Sequence, residues 1–357
     1  MKNFWKKQLE KNEKLVFLAP MDWYWDSAYR QAMKRVSPHI FCISEFYSAD
    51  WLIHSNFLAD SVLNHNEIED PLIIQIFWKD PEVFAKAAKI ISENKYNIAW
   101  IDINMWCPAK KVVRSWHWSC LLINEKTAFD IVKHMHEATH LPISVKTRLS
   151  FDWNQNLINF VKWLENAWAS LVTIHGRTAK QAYTGYADFT NIYELKKHVS
   201  IPVICNWDIV NYTDWINKVK ELDGIMIGRA SFWNPWCFIW EPQINDDKFI
   251  AKTGVKRENF IDWIYHPTLS EVLEAMEFHA EKLNETKWEK KWSLEIRKHL
   301  VQYLKNFPWV KKYRKRLVTT ESVENTIDIL EEIKKEFCED LNKRPSLNEI
   351  EKKEENL

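Results

Sequence analysis

Ile101-Asp-Ile-Asn-Met-Trp-Cys-Pro-Ala-Lys-Lys-Val-Val-Arg-Ser-Trp-His-Trp-Ser119 continues an apolar strand that starts at Ala99 and runs to Ile103. At Asn104 and Pro108 the strand gives way to a loop carrying Cys107, Lys110, Lys111, Arg114 and His117. A cysteine among cations sits where thiolate is favoured and where proton transfer is feasible. Taken alone, a single cysteine is more often a buried structural thiol, and the basic residues around it a solvated turn.

The same layout, an apolar run ending in reactive residues, recurs along the first two thirds of the chain. The runs are Leu15–Ala19, Ile40–Ser44, Leu72–Phe77, Ala99–Ile103, Ile143–Thr147, Leu171–His175, Pro202–Cys205 and Gly224–Gly228. Amphipathic stretches such as Pro81–Asn94, Thr127–Thr139, Leu157–Asn166 and Asn191–His198 separate most of them. Non-alternating apolar runs between helical patterns predict parallel strands covered by helices. Eight such units predict an α/β fold, a (β/α)8 TIM barrel, with a doubly wound sheet as the alternative because periodicity does not show closure. Polar residues collect where the runs end: Met21 and Asp22, Gln75, Asn104 and Cys107, Lys146, His175 and Arg177, Asn206 and Asp208, Gly228 and Arg229. In a barrel these ends share the face that carries the active site.

Lys+Arg and Asp+Glu both number 49, so the global charge points to no polyanion and any basic surface must be local. The six cysteines lack metal-ligand spacing and fit reduced thiols, the N-terminus lacks an apolar leader, and no run reaches membrane-span length. The expectation is a cytoplasmic monomer with no metal and no membrane partner. The barrel is expected over 1–245 and a connection over 246–267. A helical domain is expected over 268–338 and a disordered tail over 339–357. The helical part is locally basic, with Arg297, Lys298, Lys311, Lys312, Arg314, Lys315 and Arg316 interleaved with Tyr303, Phe307 and Tyr313. That mixture suits a nucleic-acid backbone, although a solvated helix face over core aromatics explains it as well.

With glycine in place of Trp106, Trp116 and Trp118, the opening stretch resembles the signature loop of the tRNA-dihydrouridine synthases. Ile296-Arg-Lys-His-Leu300 followed by Phe307-Pro-Trp309 resembles that family's bacterial branch. The resemblance implies a TIM-barrel flavoenzyme with a C-terminal helical tRNA-binding domain, which reduces a tRNA uridine using FMN and NADPH. It implies that Pro20, Met21 and Asp22 form the first flavin-contacting turn, that Gln75 faces the flavin ring, and that Lys146 lies near its N1 side. His175, Asn206, Trp207, Asp208, Gly228 and Arg229 are implied to complete the cofactor site. Asn104, Lys110, Arg114, Arg177, Arg297 and Lys298 are implied to bind substrate, and Cys107 is implied to be the proton donor. A small-molecule FMN oxidoreductase of the dihydroorotate dehydrogenase type, and a catalytically dead RNA-binding protein, are the alternatives.

The chain has 21 Trp and 5 Gly, where average usage of about 7% glycine would give roughly 25. Tryptophan stands where turn chemistry expects glycine, as in Asn206-Trp-Asp208, Asp152-Trp-Asn154 and Pro308-Trp309. We read most of these tryptophans as positions where the gene's source inserts glycine through a reassigned stop codon. Asn234-Pro-Trp236 matches the family with its tryptophan in place and is read as genuine.

Overall fold

The computed structural model describes residues 4–12, 14–105, 121–122, 124–151, 156–182, 184–206, 208–287 and 289–345. Eight parallel strands close into a barrel in sequence order: β1 Leu15–Leu18, β2 Phe41–Ser48, β3 Leu72–Phe77, β4 Ile98–Asn104, β5 Ile143–Arg148, β6 Leu171–His175, β7 Val203–Asn206 and β8 Gly224–Ile227. β1 pairs with β8 with Leu15 opposite Gly224, which closes the ring. A Cβ on Gly224 would lie 2.0 Å from the Leu15 carbonyl oxygen, so glycine alone fits there. The (β/α)8 architecture expected from the runs is the one observed.

The strands are buried on both faces, which explains their unbroken apolar runs. Covering helices use ordinary start signals. Asp80 caps Pro81–Glu93 with its carboxylate on the Glu82 and Val83 N–H groups and proline at the first turn. Asn124 caps Glu125–Ala138, and Asn156 caps Leu157–Asn166. At the start of the chain, Trp5 packs on Phe17, Phe41 and Trp100, with ring centroids 4.2–5.9 Å apart.

The chain divides into two compact units. One comprises 1–25, 39–210 and 214–229, and the other 26–38, 211–213 and 230–357. The second unit is built on the helices Leu269–Thr286, Glu289–Tyr303 and Val323–Glu336, and it also takes in Ser27–Val36. That early helix follows β1 in sequence but supplies Ala28 and Val36 to the second unit's core. The stretch 246–267, read as a connection, holds the helix Asp247–Thr253 and a hairpin of β9 Phe260–Ile261 and β10 Ile264–Tyr265. Beyond residue 338 the Leu341 and Lys343 carbonyls accept from the Ser270 and Leu269 N–H groups, and 346–357 lie outside the described residues. Among the described residues no helix is long and apolar enough to cross a membrane.

The second unit's core contains two buried histidines. His279 and His299 have ring centroids 4.8 Å apart, and the Trp233 indole N–H donates to His299 Nδ1 at 3.0 Å. Burial brings His279 down to about 4, with Lys298 adding to the effect and Asp26 opposing it. Burial and then the charge of His279 hold His299 well below its ordinary range. An unfolded histidine binds its proton near 6.5, so the unit's stability is complete above that pH and is lost as pH falls toward 4. His279 alone contributes roughly 3 kcal/mol to this loss. Protection factors in Leu269–Thr286, the exchange rates taken relative to the intrinsic chemical rate, should therefore fall as pH is lowered from about 6.5 toward about 4. A His279→Gln variant should show a smaller fall, and an equal one would remove His279 as the cause.

Candidate active site

The polar ends of the strands meet at the C-terminal face of the barrel. Asp102 lies in the interior of β4 with 1% of its surface exposed. It accepts from Gln75 Nε2 at 2.6 Å and from Ser144 Oγ at 2.5 Å. Gln75 Oε1 in turn accepts from Asn104 Nδ2 at 3.0 Å, and the Gln75 backbone N–H donates to Ser44 Oγ at 3.0 Å. The carboxylate, which can only accept while ionised, thus fixes which way the Gln75 and Asn104 amides point. Burial pushes the Asp102 carboxyl up to about 6, against the lowering by Ser144, Gln75 and Lys146.

The parallel register sets Lys146 beside both Asn104 and Thr173, and His175 beside both Arg148 and Asn206. His175 is 3% exposed. Burial, and then Arg148, Lys146, Arg177 and Arg229, hold its imidazole far below the ordinary range, so it is neutral here. The same four cations make this mouth electropositive. Their charge is offset unevenly. Asp208 Oδ2 accepts from Arg177 Nη2 at 2.9 Å, and Asp208 Oδ1 lies 3.7 Å from Arg229 Nη2. Arg148 is held by the Thr178 and Ala182 carbonyls at 2.9 and 2.7 Å. Asn206 donates to the Met226 carbonyl at 2.9 Å, which ties the end of β7 to β8. The buried Thr173 hydroxyl has no hydrogen-bond partner among the described residues.

Pro20, Met21 and Asp22 form the turn after β1, where burial raises the Asp22 carboxyl. Gly228 and Arg229 follow β8, and the Arg229 side chain is half exposed. Thus Gln75, Asn104, Lys146, His175, Asn206, Asp208, Gly228 and Arg229 all lie at strand ends on one face. Arg177, assigned to substrate from the sequence, is 3% exposed and donates to the Gly185 carbonyl at 2.5 Å as well as to Asp208. It braces the turn around Asp208. In the second unit Arg297 donates to the Thr320 and Thr319 carbonyls at 2.7 and 3.3 Å, and Lys298 is half-buried. Cys107, Lys110, Arg114, Trp106, Trp116, Trp118 and Trp207 lie outside the described residues. Asp102, Ser144 and Thr173 are the polar residues that the sequence reading missed. The available signal was a lone acid inside an apolar run, Ile101-Asp-Ile103.

Replacing Asp102 by alanine leaves the Gln75 amide and the Ser144 hydroxyl without their acceptor in a dry site. One unsatisfied buried donor costs about 1–3 kcal/mol, so Asp102→Ala should lose about 2–5 kcal/mol in urea unfolding. A loss below about 1 kcal/mol would show that water reaches the network.

A family model described as dihydrouridine synthase matches residues 17–340. The chain is 32% identical over 321 residues to a probable tRNA-dihydrouridine synthase 1 of Synechocystis sp., covering 89% of this chain and 85% of that one. It is 31% identical over 293 residues to tRNA-dihydrouridine synthase B of Pasteurella multocida, covering 81% and 83%. Among solved structures, an old yellow enzyme homologue from Zymomonas mobilis aligns with a TM-score of 0.46 at 12% identity, covering 62% and 86%. With the family model spanning the barrel strands and most of the second unit, the chain belongs to the dihydrouridine synthase family.

Proposed function

We propose that the chain reduces a uridine of tRNA to 5,6-dihydrouridine, with FMN held at the C-terminal mouth of the barrel and NADPH as the source of electrons. The observation that carries this is the mouth itself, where oriented buried amides lie within the field of four cations. The residues present fit a flavin mononucleotide. Its phosphate requires positive charge and close backbone, and its ring edge requires fixed donors and acceptors. Lys146, Arg148, Arg177 and Arg229 surround His175 with positive charge. Gln75 and Asn104 present oriented amides, and the unpartnered Thr173 hydroxyl sits in the same interior.

A bound flavin supplies the hydride that reaches uracil C6. The chain's own residues do the rest. The target base must leave its stack to reach a buried site. Asn104, fixed through Gln75 and Asp102, orients a planar polar group beside it. Lys146 favours negative charge in its vicinity. Cys107, three residues beyond the end of β4 in sequence, gives its Sγ proton to uracil C5, and the thiolate regains a proton from solvent. C5=C6 thus gains one hydride and one proton. Lys110 and Arg114 hold RNA phosphates.

The direct test is incubation of the protein with FMN, NADPH and unmodified tRNA, followed by nucleoside mass spectrometry. Dihydrouridine supports the reading. Its absence, while NADPH is oxidised with a small enone or orotate, points to the small-molecule alternative.

The tRNA backbone is assigned to the exposed lysines of the second unit. Lys305, Lys311 and Lys315 are exposed there, and Lys312 and Arg316, exposed as well, pair with Glu336 and Glu332. Each phosphate contact removed flattens the salt dependence of binding by a slope of about 0.7–0.9. The triple alanine variant should therefore bind tRNA with a log–log slope about 2 smaller. Arg297→Ala should instead destabilise the unit, because its guanidinium bonds two carbonyls. An unchanged slope in the triple variant would remove these lysines from the RNA surface.

A further inference from the structure

Eight non-glycine residues among those described have positive φ, and four of them are tryptophan: Trp23 at 70°, Trp168 at 73°, Trp233 at 56° and Trp263 at 67°. Only a few per cent of non-glycine residues adopt such angles, chiefly Asn, Asp and His, and a bulky residue there is an outlier. Chance placement of 21 tryptophans in 357 residues does not produce this share.

Each of the four occupies a place that backbone geometry assigns to glycine. Trp168 follows the helix Leu157–Asn166. Its N–H donates to the Glu165 carbonyl at 2.9 Å, and the Ala169 N–H donates to the Leu164 carbonyl at 2.9 Å. This pair of bonds is the Schellman ending, whose left-handed residue is usually glycine. The chain provides its own comparison in Gly254, which ends Asp247–Thr253 with the same φ of 73°. Asp262 and Trp263 form the two-residue turn between β9 and β10, both with positive φ. Two positive values define the type I′ hairpin turn, where Asp-Gly is a favoured pair. Trp233 is the third residue of a turn closed by the Asn234 N–H on the Ser231 carbonyl at 3.1 Å, the glycine place of a type II turn. Trp23 turns the chain after β1 and directs its N–H at Glu45 Oε1, 2.6 Å away.

Packing does not offset the backbone cost at three of the four; Trp233 is instead partly buried, with its indole N–H on His299 Nδ1, and its assignment rests on its φ and turn position. Trp23, Trp168 and Trp263 are 79%, 44% and 49% exposed. Trp5 and Trp236 differ on both counts. Both have ordinary φ and are buried, and the Trp5 indole N–H donates to Ser170 Oγ at 3.3 Å.

We infer that the protein made by its own ribosomes carries glycine at 23, 168, 233 and 263, through a codon read there as glycine, and tryptophan at 5 and 236. This assignment rests on backbone angles and is independent of Trp106, Trp116 and Trp118, positions singled out by resemblance. It also stands whatever reaction the barrel performs. Two kinds of codon must then lie behind the letter W in this sequence, one at the glycine positions and the ordinary one at 5 and 236.

Peptide mass spectrometry on protein isolated from its native cells is the test. Peptides showing glycine at 168 and 263 with tryptophan at 236 are expected, and tryptophan at 168 or 263 overturns the inference. A second measurement tests the physical ground in a host that inserts tryptophan. Trp168 and Trp263 are replaced together by glycine in one variant and by alanine in another. Alanine removes the indole but keeps the Cβ that disfavours positive φ. The glycine variant should melt about 2–3 °C above the alanine variant, since two sites at about 1 kcal/mol each shift the midpoint by about 1.3 °C per kcal/mol at about 2.1 cal/mol/K per residue. Equal midpoints, or a higher one for alanine, would show that these turns do not demand glycine.

Discussion

A Cys107→Ala variant should make no measurable dihydrouridine on tRNA while NADPH still reduces its flavin. A positioned general acid contributes about 10²–10⁴ in rate, and no other described side chain at the mouth is suited to replace it. His175 is neutral, deeply buried and surrounded by cations that oppose its protonation. Asp102 titrates near 6 but is 1% exposed and committed to Gln75 and Ser144. Lys146 is a cation whose value lies in its charge. Single-turnover mixing of the reduced variant with tRNA should therefore show flavin reoxidation slowed by at least about 10²-fold. Full turnover by the alanine variant would end the acid assignment and move attention to solvent or Asp102.

The second large effect concerns Trp106, Trp116, Trp118 and Trp207, positions where the family resemblance implies glycine. Restoring glycine at these positions, with Trp236 kept, should raise FMN affinity by at least about 10²-fold over the sequence as written. Position 207 makes the physics concrete, because both its neighbours are described. Asn206 ends β7 buried and tied to the Met226 carbonyl. Asp208 has a φ of 53° and holds Arg177, the Ala187 N–H and, at longer range, Arg229. The backbone between them is where TIM barrels present N–H groups to phosphate after strands seven and eight. An indole there brings on the order of 200 Å² of ring surface to a site that needs bare backbone. Losing a single charge-assisted hydrogen bond of about 1.5–3 kcal/mol already costs roughly ten- to hundredfold in binding. Flavin fluorescence titration of the two proteins checks this. Equal affinities would mean that the tryptophans do not obstruct the site.

Much of the barrel was legible because a strand buried on both faces must be apolar along its length. Leu72–Phe77 and Leu171–His175 were read with the limits the structure gives them, and the other runs differ at their ends by up to a few residues. β2 extends to Ser48, past the point where Glu45 breaks its apolar run, because the register shift between Ile43 and Phe46 lets the strand continue against β3. The helix Ser27–Val36 reads like any barrel helix. Nothing in its own periodicity says that Ala28 and Val36 pack in the other unit's core, since periodicity marks a buried face but not the partner. The hairpin Phe260–Tyr265 was hidden for a different reason. Its signal is Asp-Gly between apolar pairs, and the sequence is written Asp262-Trp263.

Part of the candidate site was legible. Strand-end residues declare themselves by polarity, so Gln75, Asn104, Lys146, His175 and Asn206 could be named as candidates from the sequence. Their alignment depends on Asp102 and Ser144, which share an interior face only once β4 and β5 take their register. Arg177 and Arg297 show the converse. Each is a cation in a suggestive motif, yet the structure sets each to holding carbonyl groups of its own chain.

Reduction of tRNA uridine by this barrel is tested most directly by expressing the chain with glycine at 23, 106, 116, 118, 168, 207, 233 and 263, loading it with FMN, and supplying NADPH and tRNA from cells lacking dihydrouridine. Nucleoside mass spectrometry should then show dihydrouridine accumulating in tRNA, with no accumulation when Cys107 is replaced by alanine. A yellow protein that oxidises NADPH yet leaves every uridine of that tRNA intact would contradict the account.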